Sequence, residues 1–284
     1  MGKLTKSRFA TKMDDAARPS FFSLSPRPRK STLDEERYLT LSGPIHLTGI
    51  QALVRLQFDG LRLLNKIYPD KKFAYFISGY EGSPLGGFDI NLRKIYSILK
   101  QWKIIHVPGG NEEAGANMMW GSQLHRLFGP SKVDGVIGAW YGKGPGVRRI
   151  SDVEDHLQMA GIDKFCAAYF ISGDDHVSKS STTPHQTDFV HYANHVPTAY
   201  PGNIQEILHV GKRIILASMI SGLAINLKVE TCVCDGSQEF ILNPDEDREL
   251  KARFLEFAAN HPDYKRHFSP VLLKPRVLIN EEEL

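Results

Sequence analysis

From about residue 48 to residue 229, short apolar runs of strand length alternate with longer stretches whose apolar residues recur at helical spacing, and few architectures accept that alternation. Phe73-Ala-Tyr-Phe-Ile77, Ile104 to Val107, Val136-Ile-Gly-Ala-Trp140, Phe165 to Ile171 and Leu223 to Val229 read as strands. Thr48 to Ile67 reads as a helix, with Ile50, Leu53, Val54, Leu56, Leu61 and Leu64 in phase and Thr48 placed to cap it. Gly86 to Trp102, a segment opening at Glu112, Ser151 to Ala160 and Gln205 to Ser221 complete the helical set. Strand and helix alternating at this pace predict an α/β fold, a doubly wound, mostly parallel sheet with helices on both faces. In such sheets ligands sit beyond the carboxyl ends of the strands. Every glycine-rich or polar cluster of this chain follows a strand.

The chain's 284 residues, 42% hydrophobic and 24% charged, suffice for a large buried core. Residues 1–32 hold eight Lys and Arg against Asp14 and Asp15, a net +6 of the chain's +3, so the remainder carries −3. A mildly acidic folded part with no basic face argues against nucleic acid as a partner. The basic, polar segment 1–32 is expected to be a disordered tail, and residues 33–235 to be the α/β domain. Residues 236–284 are expected to form a charged helix from Pro244 to about Asn260 and an extended tail. No apolar run approaches the ~20 residues that span a bilayer. The first thirty residues lack a secretory apolar block, and Asp14-Asp15 sits badly with an organellar transit peptide. Cys166, Cys232 and Cys234 suit a reducing compartment, which points to the cytoplasm, and all read as core or near-core thiols. Cys232-Val-Cys234 has the wrong spacing for a zinc knuckle or ferredoxin-type cluster.

Three clusters can carry chemistry. After the strand ending at Val107, Pro108, Gly109 and Gly110 make a turn, Asn111 can cap, and Glu112 and Glu113 open a helix whose dipole favours them. Ala114, Gly115, Ala116, Gly121 and Ser122 then form a small-residue face that lets another surface approach. Gly79-Tyr-Glu-Gly-Ser-Pro-Leu-Gly-Gly87 allows close backbone approach and free N–H groups for an anion, but no Gly-Lys-Ser/Thr of a Walker loop follows. Gly173 to Gln186 packs acids, histidines and hydroxyls together. A Ser-His-Asp hydrolase lacks its Gly-x-Ser-x-Gly elbow here, and a metal held by Asp174, Asp175, His176 and His185 competes with a hydrogen-bonded polar loop. No metal ligand is assigned.

Several motifs occur together in one order: Leu47-Thr-Gly-Ile-Gln-Ala-Leu-Val-Arg55, Phe76-Ile-Ser-Gly-Tyr80, Gly82-Ser-Pro-Leu-Gly-Gly87, Asn111-Glu112 and Trp120-Gly-Ser-Gln123. Trp140-Tyr-Gly-Lys-Gly-Pro-Gly-Val147, Gly173-Asp-Asp-His176, Lys179-Ser-Ser-Thr182 and His185-Gln186 follow. Over about residues 33–235 this resembles the N-terminal, pyrimidine-binding segment of the fused indolepyruvate ferredoxin oxidoreductases. These belong to the thiamine-diphosphate-dependent 2-oxoacid:ferredoxin oxidoreductases. The resemblance implies a thiamine-diphosphate-binding (Pyr-type) fold. It places Glu112 against N1′ of the aminopyrimidine, promoting proton loss from the thiazolium that attacks the keto carbon, after which carbon dioxide leaves. Burial in a subunit interface would suit such a carboxyl. Ser83 would face the 2-oxoacid, and His185 joins Glu112 and Ser83 as a catalytic candidate. Asn111, Gly82, Gly86, Gly87, Asp175, His176, Ser180, Ser181 and Gln186 are the cofactor-binding candidates.

Two departures matter. The family pattern has Arg where this chain has Glu81 and Asp where it has Arg148, so a loop-to-loop contact between Glu81 and Arg148 is expected, an Arg–Asp pair with its charges exchanged. If the family's Arg instead meets the substrate carboxylate, Glu81 would repel that anion. The family's Gly-Asp-Gly…Asn magnesium–diphosphate motif and cysteine-bound iron–sulfur clusters do not occur in this sequence. The thiamine diphosphate is therefore expected to be shared with a partner chain that carries Mg²⁺ and the iron–sulfur clusters. Homo-oligomerisation, docking on such a subunit, or both are expected, with an aryl pyruvate as the small-molecule substrate. The competing reading is a non-catalytic paralogue that serves as an assembly or regulatory subunit.

Overall fold

Successive side chains of a strand point to opposite faces, and here both faces are apolar. The computed structural model describes residues 33–127, 129–180 and 183–269. The expected disordered tail, the last part of the expected extended tail and Ser181 lie outside them. The described chain runs α1 (Leu33–Leu39), β1 (Gly43–Thr48), α2 (Gly49–Ile67), β2 (Phe73–Gly79), α3 (Gly86–Lys94), α4 (Tyr96–Gln101), β3 (Ile104–His106) and α5 (Glu112–Gln123). It continues β4 (Gly135–Lys143), α6 (Gly144–Arg149), α7 (Ser151–Ala160), β5 (Ala167–Asp174), α8 (Asp188–Ala193), β6 (Thr198–Ala199) and α9 (Ile204–Ser221). It closes with β7 (Ile225–Glu230), α10 (Thr231–Asp235), β8 (Ser237–Leu242) and α11 (Glu246–Asn260).

Six strands form a parallel sheet in the order β3-β2-β4-β5-β7-β6. In β4, Ile137, Ala139 and Tyr141 enter one core cluster while Val136 and Trp140 enter the other. In β5, Ala167, Tyr169 and Ile171 separate in the same way from Ala168 and Phe170. Helices α2 and α9 cover the first face, and α5 and α7 the second. The sheet is therefore doubly wound, as its strand–helix alternation requires. The chain goes outward from β2 to β3 and returns to β4 on the other side of β2, so the winding reverses between β2 and β4.

Local chemistry sets the helix ends. Thr48 Oγ1 accepts from Gln51 N at 3.2 Å, and Thr48 N donates to Gln51 Oε1 at 2.9 Å, a reciprocal capping box. The helix expected over 86–102 is two helices, divided at Ile95. The glycine loop after β4 is partly helical, because Pro145 is preset for a first helical turn. Cys166 and Cys234 are buried but Cys232 is exposed, a correction with a simple cause: residues two apart on a helical turn face opposite ways.

Beyond residue 235, β8 pairs antiparallel with β1 from Thr48↔Ser237 to Gly43↔Leu242. Only Phe240 of β8 is buried, so its period-two signal is weak in the sequence. Helix α11 is clamped by charge. Arg213 Nη1 donates to Glu246 Oε1 at 2.9 Å, His209 and Lys212 also bond Glu246, and Lys212 Nζ and Lys66 Nζ hold Asp247 at 3.1 and 2.7 Å. Burial alone would raise the Glu246 carboxyl, but hydrogen bonds from His209 and Lys212 outweigh it and hold the group at about 2, below its ordinary 4.5. A carboxyl depressed in the folded state stabilises fully above its unfolded value and loses that contribution as the pH falls through the folded one. Glu246→Gln should thus cost roughly 2–3 kcal/mol at pH 7, since it leaves Lys212 buried beside a weakened partner set. The difference from wild type in thermal melting should shrink between pH 4.5 and about 2, the interval that separates the two carboxyl values.

Candidate functional site

Gly115 brings the start of α5 against the end of β2 at Gly79. A Cβ on Gly115 would lie 2.8 Å from both Cα and N of Gly79, so only glycine permits the approach. The β3–α5 turn is tied to the same strand, with Val107 N donating to Ile77 O at 2.9 Å and Gly109 N to Gly79 O at 2.8 Å. Asn111 caps α5 as expected, its Oδ1 accepting from Ala114 N at 2.7 Å. Glu112 then occupies the first helical position at the point where the winding of the sheet reverses. Open α/β sheets leave their crevice at such a point.

The Glu112 side chain is only 8% exposed. The expectation was burial by a neighbouring polypeptide, yet this chain supplies it. Buried Trp140 donates its indole N–H to Glu112 O at 3.0 Å. Gly146 of α6 lies so close that a Cβ there would be 2.5 Å from Glu112 Cγ. Arg149 Nη1 stands 3.4 Å from Glu112 Oε2, while its own side chain is 67% exposed. Glu112 still borders an open recess of about 620 Å³ lined by Tyr80, Gly110, Asn111, Glu112, Lys143, Pro145, Arg149 and Thr183. The chemistry is that of a carboxylate floor with two cations at the rim, suited to a neutral heterocycle and an anionic group side by side.

Of the sequence-predicted site residues, Glu112 and Asn111 border this recess. Ser83 lies in the β2–α3 loop, its N–H donating to Ser180 Oγ at 3.1 Å. Lys143 Nζ donates to Ser180 O at 3.1 Å, so Ser180 ties that loop to the end of β4. Gly82 packs on the Lys143 stem, while Gly86 and Gly87 open α3. Asp175 is buried, accepting from Ser180 N at 3.2 Å and from Thr231 Oγ1 at 3.3 Å. Burial pushes its carboxyl up, but hydrogen bonds from the Lys179 and Ser180 backbone and the Thr231 hydroxyl more than offset this and hold it below the ordinary value. His176 turns to Glu230 Oε1 at 2.7 Å, and that bond raises its pKa. His185 is buried beneath Gly144 with neither ring nitrogen bonded, and burial lowers its pKa. Gln186 Nε2 donates to Asp188 Oδ2 at 3.4 Å.

The expected Glu81–Arg148 contact is not made as an ion pair among the described residues. Sequence reasoning also missed Tyr80, Lys143, Pro145, Arg149 and Thr183 as recess residues. Their signal was position: Lys143 ends β4, and the others lie on the segments that follow β2, β4 or β5. A Ser–His–acid line does exist, but not in the polar loop. Ser172 Oγ lies 2.6 Å from His191 Nε2, and His191 Nδ1 lies 3.0 Å from Glu154. All three are fully buried, so this serine is beyond any substrate's reach. Among the described residues no group of three His, Cys, Asp or Glu side chains could hold a metal ion, and no helix is long and apolar enough to cross a membrane.

The fold, an α/β doubly wound parallel sheet, agrees with the Pyr-type thiamine-diphosphate-binding architecture expected from the sequence. Among solved structures, the chain is similar to the 2-oxoglutarate:ferredoxin oxidoreductase from Magnetococcus marinus with 2-oxoglutarate, coenzyme A and succinyl-CoA bound, at a TM-score of 0.50 and 12% identity. The match covers 72% of this chain and 32% of that one, so this chain spans about a third of that protein's length. At that identity the likeness is one of fold. No family model matches the sequence, and no curated protein matches it significantly.

Gly115→Ala should force α5 away from β2 and cost about 1–3 kcal/mol, the usual penalty for an added methyl with no room. Chemical denaturation should show that loss, whereas Gly121→Ala, with nothing within 4 Å of its Cβ, should be near neutral or stabilising.

Proposed function

We propose that this chain is the pyrimidine-binding component of a thiamine-diphosphate-dependent 2-oxoacid:ferredoxin oxidoreductase acting on an aryl pyruvate such as indolepyruvate in the cytoplasm. A partner polypeptide contributes the diphosphate, Mg²⁺ and iron–sulfur sites. The observation that carries this reading is Glu112, buried by its own chain yet bordering an open recess beside an exposed arginine. The residues present fit the group. Glu112 offers a carboxylate to a ring nitrogen, and Tyr80, 41% exposed on the recess wall, offers a flat face to a heterocycle.

When bound, thiamine diphosphate supplies the nucleophilic carbon and the electron sink that decarboxylation of a 2-oxoacid needs. The protein's own residues do the rest on this side of the cleft. Glu112 would hold a ring nitrogen of the bound group and could pass it a proton, and the cap at Asn111 fixes the helical turn that aims it. Trp140 holds the Glu112 main-chain carbonyl, and Gly146 of α6 packs against the Glu112 side chain and keeps water from that side. Arg149, with only a long contact to Glu112, is available to pair with the substrate carboxylate, and Lys143 adds a second positive charge at the rim.

The non-catalytic, assembly-subunit reading is favoured by Asp175 and His176, whose bonds to Thr231 and Glu230 turn them from the recess. Co-expression with a subunit carrying the diphosphate motif and cysteine clusters separates the two. The enzyme reading expects Mg²⁺-dependent thiamine diphosphate binding, a loss of roughly 10²–10⁴ in kcat for Glu112→Gln, and a KM raised about 10-fold or more for Arg149→Gln. A wild-type complex indifferent to the cofactor gives the assembly reading instead.

A further inference from the structure

The short helix α6 is held between two side chains. Gly144 and Gly146 stand two residues apart, about 200° around a helix axis, and so present opposite sides of α6. At Gly146 the neighbour is Glu112. At Gly144 it is His185: a Cβ there would lie 2.4 Å from His185 Cβ and 2.6 Å from its Cγ, so helix and imidazole meet with no room for a methyl group. His185 belongs to the β5–α8 loop, two residues beyond Thr183 on the recess wall. It therefore backs α6 from the side opposite Glu112.

His185 is only 6% exposed, and neither ring nitrogen has a hydrogen-bond partner. Packing holds it there, not bonds. A positive charge in that place would be opposed by Lys143 at the end of β4 and by Arg148 on α6, and attracted by Asp174 and Asp175 at the end of β5. Both carboxylates are already engaged. Thr187 and Lys228 hold Asp174 Oδ2, while Ser180 and Thr231 hold Asp175. Asp174 Oδ1 has no partner, but the ring does not bond it from where it lies. Burial is the largest effect and keeps the imidazole below its ordinary 6.5. An imidazolium would find a partner, Asp174 Oδ1 or water, only by moving.

We propose that neutral His185 is a positioning residue that wedges α6 against Glu112, and that its protonation withdraws the wedge, frees α6 and uncovers the carboxylate floor of the recess. The switch needs no cofactor and does not rest on the function proposed above. Its sign follows from the two environments of the ring. Packed under Gly144 the imidazole resists a proton, whereas in the opened loop it is solvated and takes one near 6.5. The closed arrangement is thus fully favoured above about 6.5 and loses that advantage as the pH falls toward the lower, closed-state value. Acid opens the site.

Amide hydrogen exchange on the full chain, expressed as protection factors, reads the opening. Ile150 N, bonded to Gly146 O and Val147 O at 3.2 Å, reports on α6, and Thr187 N, bonded to Asp174 Oδ2 at 3.0 Å, reports on the loop. Ala168 N, bonded to Ser218 Oγ at 2.9 Å, reports on the core. Protection at Ile150 and Thr187 should fall by up to about tenfold per pH unit below 6.5, the linkage of one proton, while Ala168 holds. The fall should vanish in His185→Gln, or in His185→Phe if the glutamine variant does not fold. It should persist in His176→Gln, because His176 is bonded to Glu230 and lies outside the wedge. A flat wild-type profile, a fall that Ala168 shares, a fall that survives in the His185 variants, or one abolished by His176→Gln overturns the switch.

Discussion

The contact between Gly115 and Gly79 sets the depth at which α5 enters the sheet, and most of the candidate site follows from that depth. With a side chain at position 115 the helix would stand off β2, and the turn from Val107 to Asn111 could not keep its bonds to Ile77 and Gly79. Because the helix sits close, its first residue reaches the crevice at the reversal of winding. Because the first residue is capped through Asn111, its carboxylate is free for other work. Glu112 is thus buried by geometry that begins with one missing methyl group, at Gly115.

The polar loop after β5 has a different physical character. Lys228, nearly buried on β7, stands 3.4 Å from Asp174, 2.8 Å from Asp188 and 3.6 Å from Glu230. Thr187 N donates to Asp174 Oδ2 at 3.0 Å, closing the loop on the strand that begins it. A lysine taken out of water is tolerated only when paired in this way. Much of the residue cluster that looked reactive in the sequence is spent holding a loop, and Thr183 is the described member of it that borders the Glu112 recess. His185 stands apart, buried with no bond at either nitrogen.

What was legible in the sequence was periodic or local. Apolar strand runs such as Phe73–Ile77 and the helical phase of Ile50 to Leu64 state their burial directly, and caps such as Thr48 and Asn111 bond only to neighbours in the chain. Glu112 stood out because glycines, a cap and small residues surrounded it. What could not be read was set by contacts between distant segments. The β1–β8 ribbon joins residues nearly two hundred apart, and β8 buries a single aromatic. Arg149 gains its place from the direction in which a one-turn helix leaves β4, which no pattern of charges encodes. The exchange of charge at Glu81 and Arg148 suggested a pair, but complementary signs do not bring two loops together.

The recess at Glu112 is wide as well as charged, and this bears on how it could work. Two unit charges at 4 Å interact by about 1 kcal/mol in bulk water and about 4 kcal/mol at the effective dielectric of a protein surface. An arginine 67% exposed sits toward the weaker end of that range. The Glu112 side chain, packed against Gly146 of α6, is withdrawn from water, whereas Arg149 is not. One chain has therefore dried the carboxylate side of the recess and left its cationic side wet. A surface that closed over Tyr80, Lys143 and Arg149 would displace that water and strengthen their grip on an anion without moving any residue of this chain. Such division fits a cleft assembled from two polypeptides: each can fold with its own buried groups satisfied, and the strongest electrostatics arise only when the two meet.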